Sequence, residues 1–552
     1  MNGTPQPLEL PALSDTTPAA PTRHFSLSTL LAFLLLLCIL ALLIADRCYY
    51  LNHFGFLYTD SDQASLWYQA DDISKFIFRE PCFYGQSYNI PLEAWVAAPL
   101  LWFHVPHAMA LPIAASFLGI FPFLFLALAA FRKGYHWGAS LILAVPLALP
   151  VEYLAITSLP RGFVAGVAVA APAVALWLFS TSRKAFILAA FFAVFAVTVN
   201  PNSSIILLAA GVYALLINYR KLAFYGYSLL GALLATPLPI TVWLFYKYHP
   251  ECDAYHVKNA DMVFHWQTLR ESFFMPMQNT FNHATFDMFF ADLVPVGHKG
   301  WLILWILPIL FVALLLVRRF KFAIAFFIAA GFTLLTLGID RIHSSSPHIF
   351  YPGSRMYLAL PVLIAVALLW FVAGLNSIFK KWRFIPPAVA GVLLLSLLVM
   401  TCYKKYALLK FPSPLIPRFC LPPVETVYQL KSDAAVVEDM CRKYNVSLVL
   451  ISNSWFTCFN EAGPSMSNYA FETLAPDFER RTYRIKEERT RLHENVIVFQ
   501  PQSSDITNAQ RIFPHATIIS RSPRLLLIEC KPPGLSGMEI SDKIGIPYRS
   551  TF

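Results

Sequence analysis

The chain has 552 residues, of which 57% are hydrophobic and 13% charged, with a mean hydropathy of +0.56 and a formal net charge of +10. A soluble protein of this length carries about a quarter charged residues, so the composition is that of a polytopic α-helical membrane protein. Nucleic acid is excluded as a partner because the basic residues stand in small clusters between apolar runs, as orientation signals do; nine scattered cysteines with no metal-ligand spacing exclude a zinc site.

Residues 1–24 are polar and rich in Pro, Thr and Ala, and read as a disordered cytoplasmic tail. Phe25 to Ile44 is long and apolar enough to cross a bilayer and reads as a retained first helix. It is followed by an acidic outer loop, 47–107, that holds Asp60, Asp62, Asp71 and Asp72 against the membrane surface. A carboxylate there costs free energy unless it is solvated, paired or used. Pro91 to Val105 is apolar but too short to span, and is interrupted by Pro99, so it reads as a juxtamembrane or re-entrant helix.

Five basic clusters then end apolar runs: Arg132-Lys133, Arg183-Lys184, Arg220-Lys221, Arg318-Arg319-Lys321 and Lys380-Lys381-Arg383. If all are cytoplasmic, the spans fall at 25–46, 108–131, 138–157, 163–180, 185–200, 204–218, 223–246, 300–317, 322–339, 356–375 and 385–402. That is about eleven transmembrane helices, with the N-terminus cytoplasmic and the C-terminus extracytoplasmic. The spans carry almost no charge at mid-depth and show no internal repeat.

Residues 25–402 thus form a transmembrane domain, and 403–552 a small extracytoplasmic α/β domain entered through a proline-rich linker from Pro412 to Pro423. Within it, Asp433 to Tyr444 reads as an amphipathic helix; Ser447–Ser452, Asn495–Phe499, Thr517–Ser520 and Leu525–Ile528 read as strands. Cys441 and Cys458 are placed to meet in such a layer and are the expected disulfide.

Asp62 is positioned either to cap a helix starting at Gln63 or to do chemistry. With Asp60 it suits activation of a hydroxyl as general base, or binding of Mg or Mn by hard oxygens. For Asp71 and Asp72 a structural role is the expectation. Tyr84, Gln86 and Tyr88 offer hydroxyl and amide groups suited to sugar oxygens, or else form an interfacial aromatic belt. Glu93 opens the short apolar helix, where a carboxylate also favours the helix dipole.

These residues carry a resemblance. Asp62-Gln63-Ala64 just past the first helix, then Phe83-Tyr84-Gly85-Gln86, Tyr88, Leu92 and Glu93, resemble the first loop of the GT-C glycosyltransferases. The likeness is to the bacterial branch related to protein O-mannosyltransferases and the aminoarabinose transferase. Gln63 replaces that branch's usual acid, and Asn89-Ile90 replaces Met-Gly. Leu159-Pro160-Arg161-Gly162, with Glu152 as the nearest acid, and the run from Tyr351 through Arg355 to Pro361 are more weakly similar. The resemblance implies an inverting membrane glycosyltransferase of the bacterial inner membrane, active in cell-envelope glycan biosynthesis. Its donor is a polyprenyl-phosphate sugar, and its acceptor a lipid, glycan or protein. Asp62 takes the catalytic place with Asp60 beside it, the two also being candidate metal ligands. Arg161 and Arg355 bind the donor phosphate; Tyr84, Gln86, Tyr88, Glu93 and Glu152 contact substrate.

A lipid-linked-sugar transporter or flippase predicts charge within the spans and a repeat between halves. A phosphoethanolamine-type transferase needs a larger metal-bearing outer domain. A non-catalytic assembly subunit is separated from an enzyme by substituting Asp60 and Asp62.

Overall fold

The computed structural model describes residues 27–59, 61–84, 87–252, 263–274, 286, 299–343, 355–379, 381–382, 384–410, 425–451, 470–473, 492–499, 503–518, 525–530 and 533–545. Helix α1 (Leu27–Tyr50) runs into a π-turn over Leu51–Gly55 and a two-residue strand β1 (Tyr58–Thr59). Helix α2 (Ser61–Ser74) and the short α3 (Leu92–Trp102) make the loop between α1 and the next long helix. Then come α4 (His107–Arg132), α5 (His136–Ala148), α6 (Val151–Ile156), α7 (Ala165–Phe179), α8 (Arg183–Val199), α9 (Ser204–Asn218), α10 (Leu222–Ala235) and α11 (Pro237–Tyr248). Helices α12 (Trp266–Phe274), α13 (Ile303–Leu316), α14 (Phe320–Leu335), α15 (Asp340–His343), α16 (Leu360–Ile378) and α17 (Ile385–Lys410) complete the apolar part.

Among the described residues seven helices are long and apolar enough to cross a membrane by length and composition, and further apolar helices are shorter. Each expected span meets a helix, but two are broken. The span expected at 138–157 divides at Leu149-Pro150 into α5 and α6, since Pro150 cannot continue a helical ladder. That at 223–246 divides at Thr236-Pro237. Helix α5 is buried from Gly138 to Ala148 and touches α1, α4, α16 and α17, so it forms the axis of the bundle. From Ala165 to Ala175 helix α7 is all Ala, Gly and Val apart from Pro172, and small side chains let α4, α8 and α9 approach it closely.

The last part begins with β2 (Glu425–Thr426) and α18 (Val427–Lys443), followed by β3 (Leu448–Ile451), β4 (Ala470–Thr473), β5 (Asn495–Phe499), α19 (Ser503–Ile512), β6 (Thr517–Ile518), β7 (Leu525–Glu529) and α20 (Gly537–Ile544). Five strands form one sheet in the order β4-β3-β5-β7-β6, with β3 parallel to β4 and β5, and β7 antiparallel to β5 and β6. Alternate side chains go to opposite faces. Val449, Ile497 and Leu527 meet α18, while Leu450, Val498 and Ile528 meet Ala509 of α19 and Ile540 of α20. Cys441 is a buried thiol without a bridge to another described cysteine; its expected partner Cys458 lies outside the described residues, as does the linker Pro412–Pro423.

This sheet does not hang free of the bundle. One hydrophobic cluster runs from its inner face through Val437 of α18 to Leu66 and Ala70 of α2, Ala97 of α3 and Leu111 of α4. Strand β2 pairs antiparallel with β1, Tyr58 opposite Thr426 and Thr59 opposite Glu425, and the Val427 N–H donates to the Leu57 carbonyl at 2.8 Å.

The helix ends hold buried charge that the reading of nearly neutral spans missed. Asp46 of α1 takes Lys404 Nζ at 2.9 Å and pairs with Lys405, both from α17. Beside it Arg47 donates to the Leu154 carbonyl at 3.2 Å, Thr157 Oγ1 at 2.8 Å and Ser158 Oγ at 2.6 Å. Each charge is partnered, which is the condition under which it tolerates burial.

Candidate functional site

Helix α2 begins at Ser61, so Asp62 stands in its first turn rather than capping a helix that starts at Gln63. Asp60 and the Asp62 side chain lie outside the described residues. The rest of α2 is anchored by Leu66, Trp67, Ala70 and Ile73, all buried in the shared cluster. Its C-terminal acids are structural. Asp71 pairs with Lys75 at 2.6 Å, one turn on. Buried Asp72 accepts from Arg79 Nε at 2.9 Å and from the Tyr84 hydroxyl at 2.8 Å.

Those bonds explain how the Phe83–Tyr88 segment is held. Gln69 Nε2 donates to the Cys82 carbonyl at 2.7 Å, and Tyr84 is fixed to Asp72. Burial, with the Asp72 carboxylate beside it, pushes the Tyr84 phenol far above its ordinary pKa. It stays a neutral donor. Tyr88 is half-buried; Gly85 and Gln86 lie outside the described residues.

A second group of residues gathers four separate turns. Asn89 sits at φ +63°, a left-handed conformation that asparagine tolerates. Its Oδ1 accepts Asn200 Nδ2 at 2.8 Å, and the same amide donates to the Gly162 carbonyl at 3.1 Å. Asn202 Nδ2 donates to the Phe163 carbonyl at 2.7 Å and the Arg355 carbonyl at 3.2 Å. The Arg355 guanidinium lies 4.7 Å from the centroid of the Phe163 ring, a cation–π contact. Gly162 has φ +76° and packs against Asn89, so the Arg161-Gly162 turn needs glycine. The structure therefore sets the Arg161-Gly162-Phe163 turn beside Arg355, with Glu93 close to Gly162.

Glu93 is fully buried, and no side chain among the described residues bonds to its carboxylate. Burial pushes its pKa up to about 7, opposed by the backbone N–H groups of Glu93 and Gly162. The expectation that Glu93 touches substrate has to be set against this enclosure, which places it beneath the Arg161-Gly162 turn. Glu152 is half-buried in the first turn of α6, the segment whose far end Arg47 grips.

Sequence reasoning passed over Asn200, Asn202, Phe163 and Asn89 as site builders. The signal was present as Asn200-Pro201-Asn202-Ser203, a polar turn between two apolar helices. Chemically, the two arginines can fork onto a phosphate. Asp62 opens the neighbouring helix. Among the described residues no three His, Cys, Asp or Glu side chains converge as a metal site; the expected ligands, Asp60 and the Asp62 side chain, lie outside them.

No protein-family model matches the chain, and no curated protein matches it. Among solved structures it is similar to ArnT from Cupriavidus metallidurans, crystallised bound to undecaprenyl phosphate. The TM-score is 0.50 at 14% sequence identity, covering 89% of this chain and 97% of that one. The likeness is one of fold.

Proposed function

We propose that this protein is a membrane glycosyltransferase that moves a monosaccharide from a polyprenyl-phosphate donor to an acceptor hydroxyl on the outer side of the bacterial inner membrane. The observation that carries the reading is the Arg161-Gly162-Phe163 turn held beside Arg355 by Asn200 and Asn202, with the Arg355 guanidinium on the Phe163 ring and the turn tied through Asn89 to the loop after α2. Undecaprenyl phosphate bound to the ArnT neighbour supports a lipid-phosphate ligand for this fold.

In this reading the chain crosses the membrane about eleven times with its N-terminus cytoplasmic, and the shorter helices span as members of the bundle. The donor phosphate sits between the two guanidinium groups, whose planar donors match its oxygens. Asp62 removes the acceptor hydroxyl proton as the oxygen attacks the anomeric carbon, and Asp60 supports it. The sugar passes through an oxocarbenium-like transition state with inversion, and the polyprenyl phosphate leaves. If a divalent ion, Mg or Mn, is used, Asp60 and Asp62 would hold it through their carboxylate oxygens. Tyr84 enters as a donor that shapes the loop through Asp72, and Gln86, Tyr88 and Glu152 as substrate contacts.

The test is turnover by membranes containing the protein, screened with a series of polyprenyl-phosphate monosaccharides. One donor should be consumed, and Asp62→Asn should slow transfer by about 10²–10⁴-fold with the protein still inserted. Arg161→Ala and Arg355→Ala should raise KM for the donor. Wild-type rates in both Asp62→Asn and Asp60→Asn would end the mechanism.

A further inference from the structure

Four cations stand at the end of the bundle away from the Arg161-Gly162 turn. Helix α7 starts beside that turn and runs about 22 Å to Phe179, at ~1.5 Å per residue. Helix α8 then starts with Arg183-Lys184 and returns to Asn200, which bonds Asn89. Helix α9 comes back, and Tyr219-Arg220-Lys221 leads it into α10. This turn joins two candidate spans, Pro201–Asn218 and Leu222–Tyr248, so its three residues lie where the headgroups of a bilayer begin.

The two basic turns are neighbours. Phe186 of α8 meets Phe224 of α10 edge to face at 5.1 Å, and the Arg183 guanidinium lies 5.7 Å from the centroid of the Tyr227 ring. Further along, Gly231 lets α10 close on α8, since a Cβ there would stand 2.1 Å from the Ile187 carbonyl oxygen.

Nothing nearby neutralises them. No Asp or Glu occurs between Glu152 and Glu251, so α7, α8, α9 and α10 carry no acid. Neither do α4, α14 and α16, which pack on α7 and α9. Among the described residues Arg183, Lys184 and Arg220 make no hydrogen bond or ion pair; Arg183 stacks on Tyr227 and Arg220 on Tyr219, at 5.2 Å. Lys221 alone is engaged, through Asn218 Oδ1 at 3.0 Å. All four cations are exposed.

Beside them the helix surfaces are apolar. Leu188 of α8 and Leu222, Leu229 and Leu233 of α10 are exposed, Leu222 at 86%. A basic cluster that only orients a span needs positive charge near its end. Cations from two adjoining turns above a leucine wall match a molecule with an anionic head and acyl chains; a soluble anion leaves the wall unused.

We propose that the paired ends of α8 and α10 bind an anionic phospholipid, its phosphate on Arg183, Lys184 and Arg220 and its chains along Leu188, Leu229 and Leu233. The length of α7 separates this site from Arg161, so it stands whether or not the protein transfers sugar.

The experiment mixes the full chain in detergent with chain-matched phosphatidylglycerol and phosphatidylcholine and follows bound lipid by native mass spectrometry. The wild type should prefer phosphatidylglycerol. Arg183→Gln, Lys184→Gln and Arg220→Gln together should weaken that lipid roughly a hundredfold, at about fivefold per cation, and leave phosphatidylcholine unchanged. Arg132→Gln, Lys133→Gln and Lys321→Gln remove the same charge from other exposed turns and should shift affinity by no more than about twofold. Arg183→Lys with Arg220→Lys keeps the charges and should stay near wild type. Equal binding of the two lipids by the wild type, or equal loss in the two triple variants, would overturn the proposal, as would a lysine variant as weak as the glutamine one. Displacement by glycerol phosphate at the same concentration would also overturn it, by showing a site for a soluble anion. So would a preference for undecaprenyl phosphate over phosphatidylglycerol, which gives the site to the donor.

Discussion

Replacing Asp46 by Asn tests how the two ends of the bundle are joined. Asp46 is 1% exposed and Lys404 3%, at 2.9 Å, so Asp46→Asn leaves one ammonium buried without its counter-ion. Lys405 is 31% exposed and can turn to water, so it adds little to the cost. Breaking a buried pair by removing one partner costs about 3–5 kcal/mol, and the Lys404 side chain incurs nearly all of it. Unfolding in detergent micelles, followed by tryptophan fluorescence against denaturant, should show that loss. The double variant Asp46→Asn with Lys404→Met removes the stranded charge and should regain at least half. A single variant within about 1 kcal/mol of wild type, or a double variant no more stable than the single, would refute the reasoning.

Glu93 holds its proton more tightly folded than unfolded, with a pKa of about 7 against an ordinary 4.5. Stability is therefore highest below about 4.5 and falls by about 3 kcal/mol as pH rises through 7; Glu93→Gln should flatten that slope in pH-dependent melting. Gly166→Ala places a methyl 2.5 Å from the Asn200 carbonyl oxygen, so thermal unfolding should show a loss of about 1–3 kcal/mol despite alanine's better helix propensity. Tyr84→Phe takes one of two hydrogen bonds from buried Asp72, about 1.5–3 kcal/mol, and trypsin should cut faster at Lys75 and Arg79.

What could be read from the sequence was what repeats locally. Basic clusters marked the apolar helices to within a few residues, and the runs Ser447–Ser452 and Asn495–Phe499 announced strands that the structure has at Leu448–Ile451 and Asn495–Phe499. The structural roles expected for Asp71 and Asp72 hold, because each finds a cation within seven residues. Strand β4, and helices α19 and α20, were passed over: β4 is four residues long, and the helices are short and polar on one side. The pairing of Asp46 with Lys404 was hidden for another reason. Each looks like an ordinary end-of-span charge, and only the packing of α1 and α17 on α5 brings them together. The asparagine bracket around Phe163 is likewise a product of four distant turns, and distance in sequence is what local patterns cannot carry.

The pairing of β1 with β2 sets an order of events during synthesis. The chain leaves the ribosome from its N-terminus, so α1 and the acidic loop reach the membrane early. Asp46 waits for a lysine 358 positions later, and Tyr58 and Thr59 wait longer still for Thr426 and Glu425. Until then the loop has no strand beside it and α2 lacks the cover of α18. A nascent or truncated chain thus carries every residue of the outer loop without the frame that shapes it, so the last segment made completes the first.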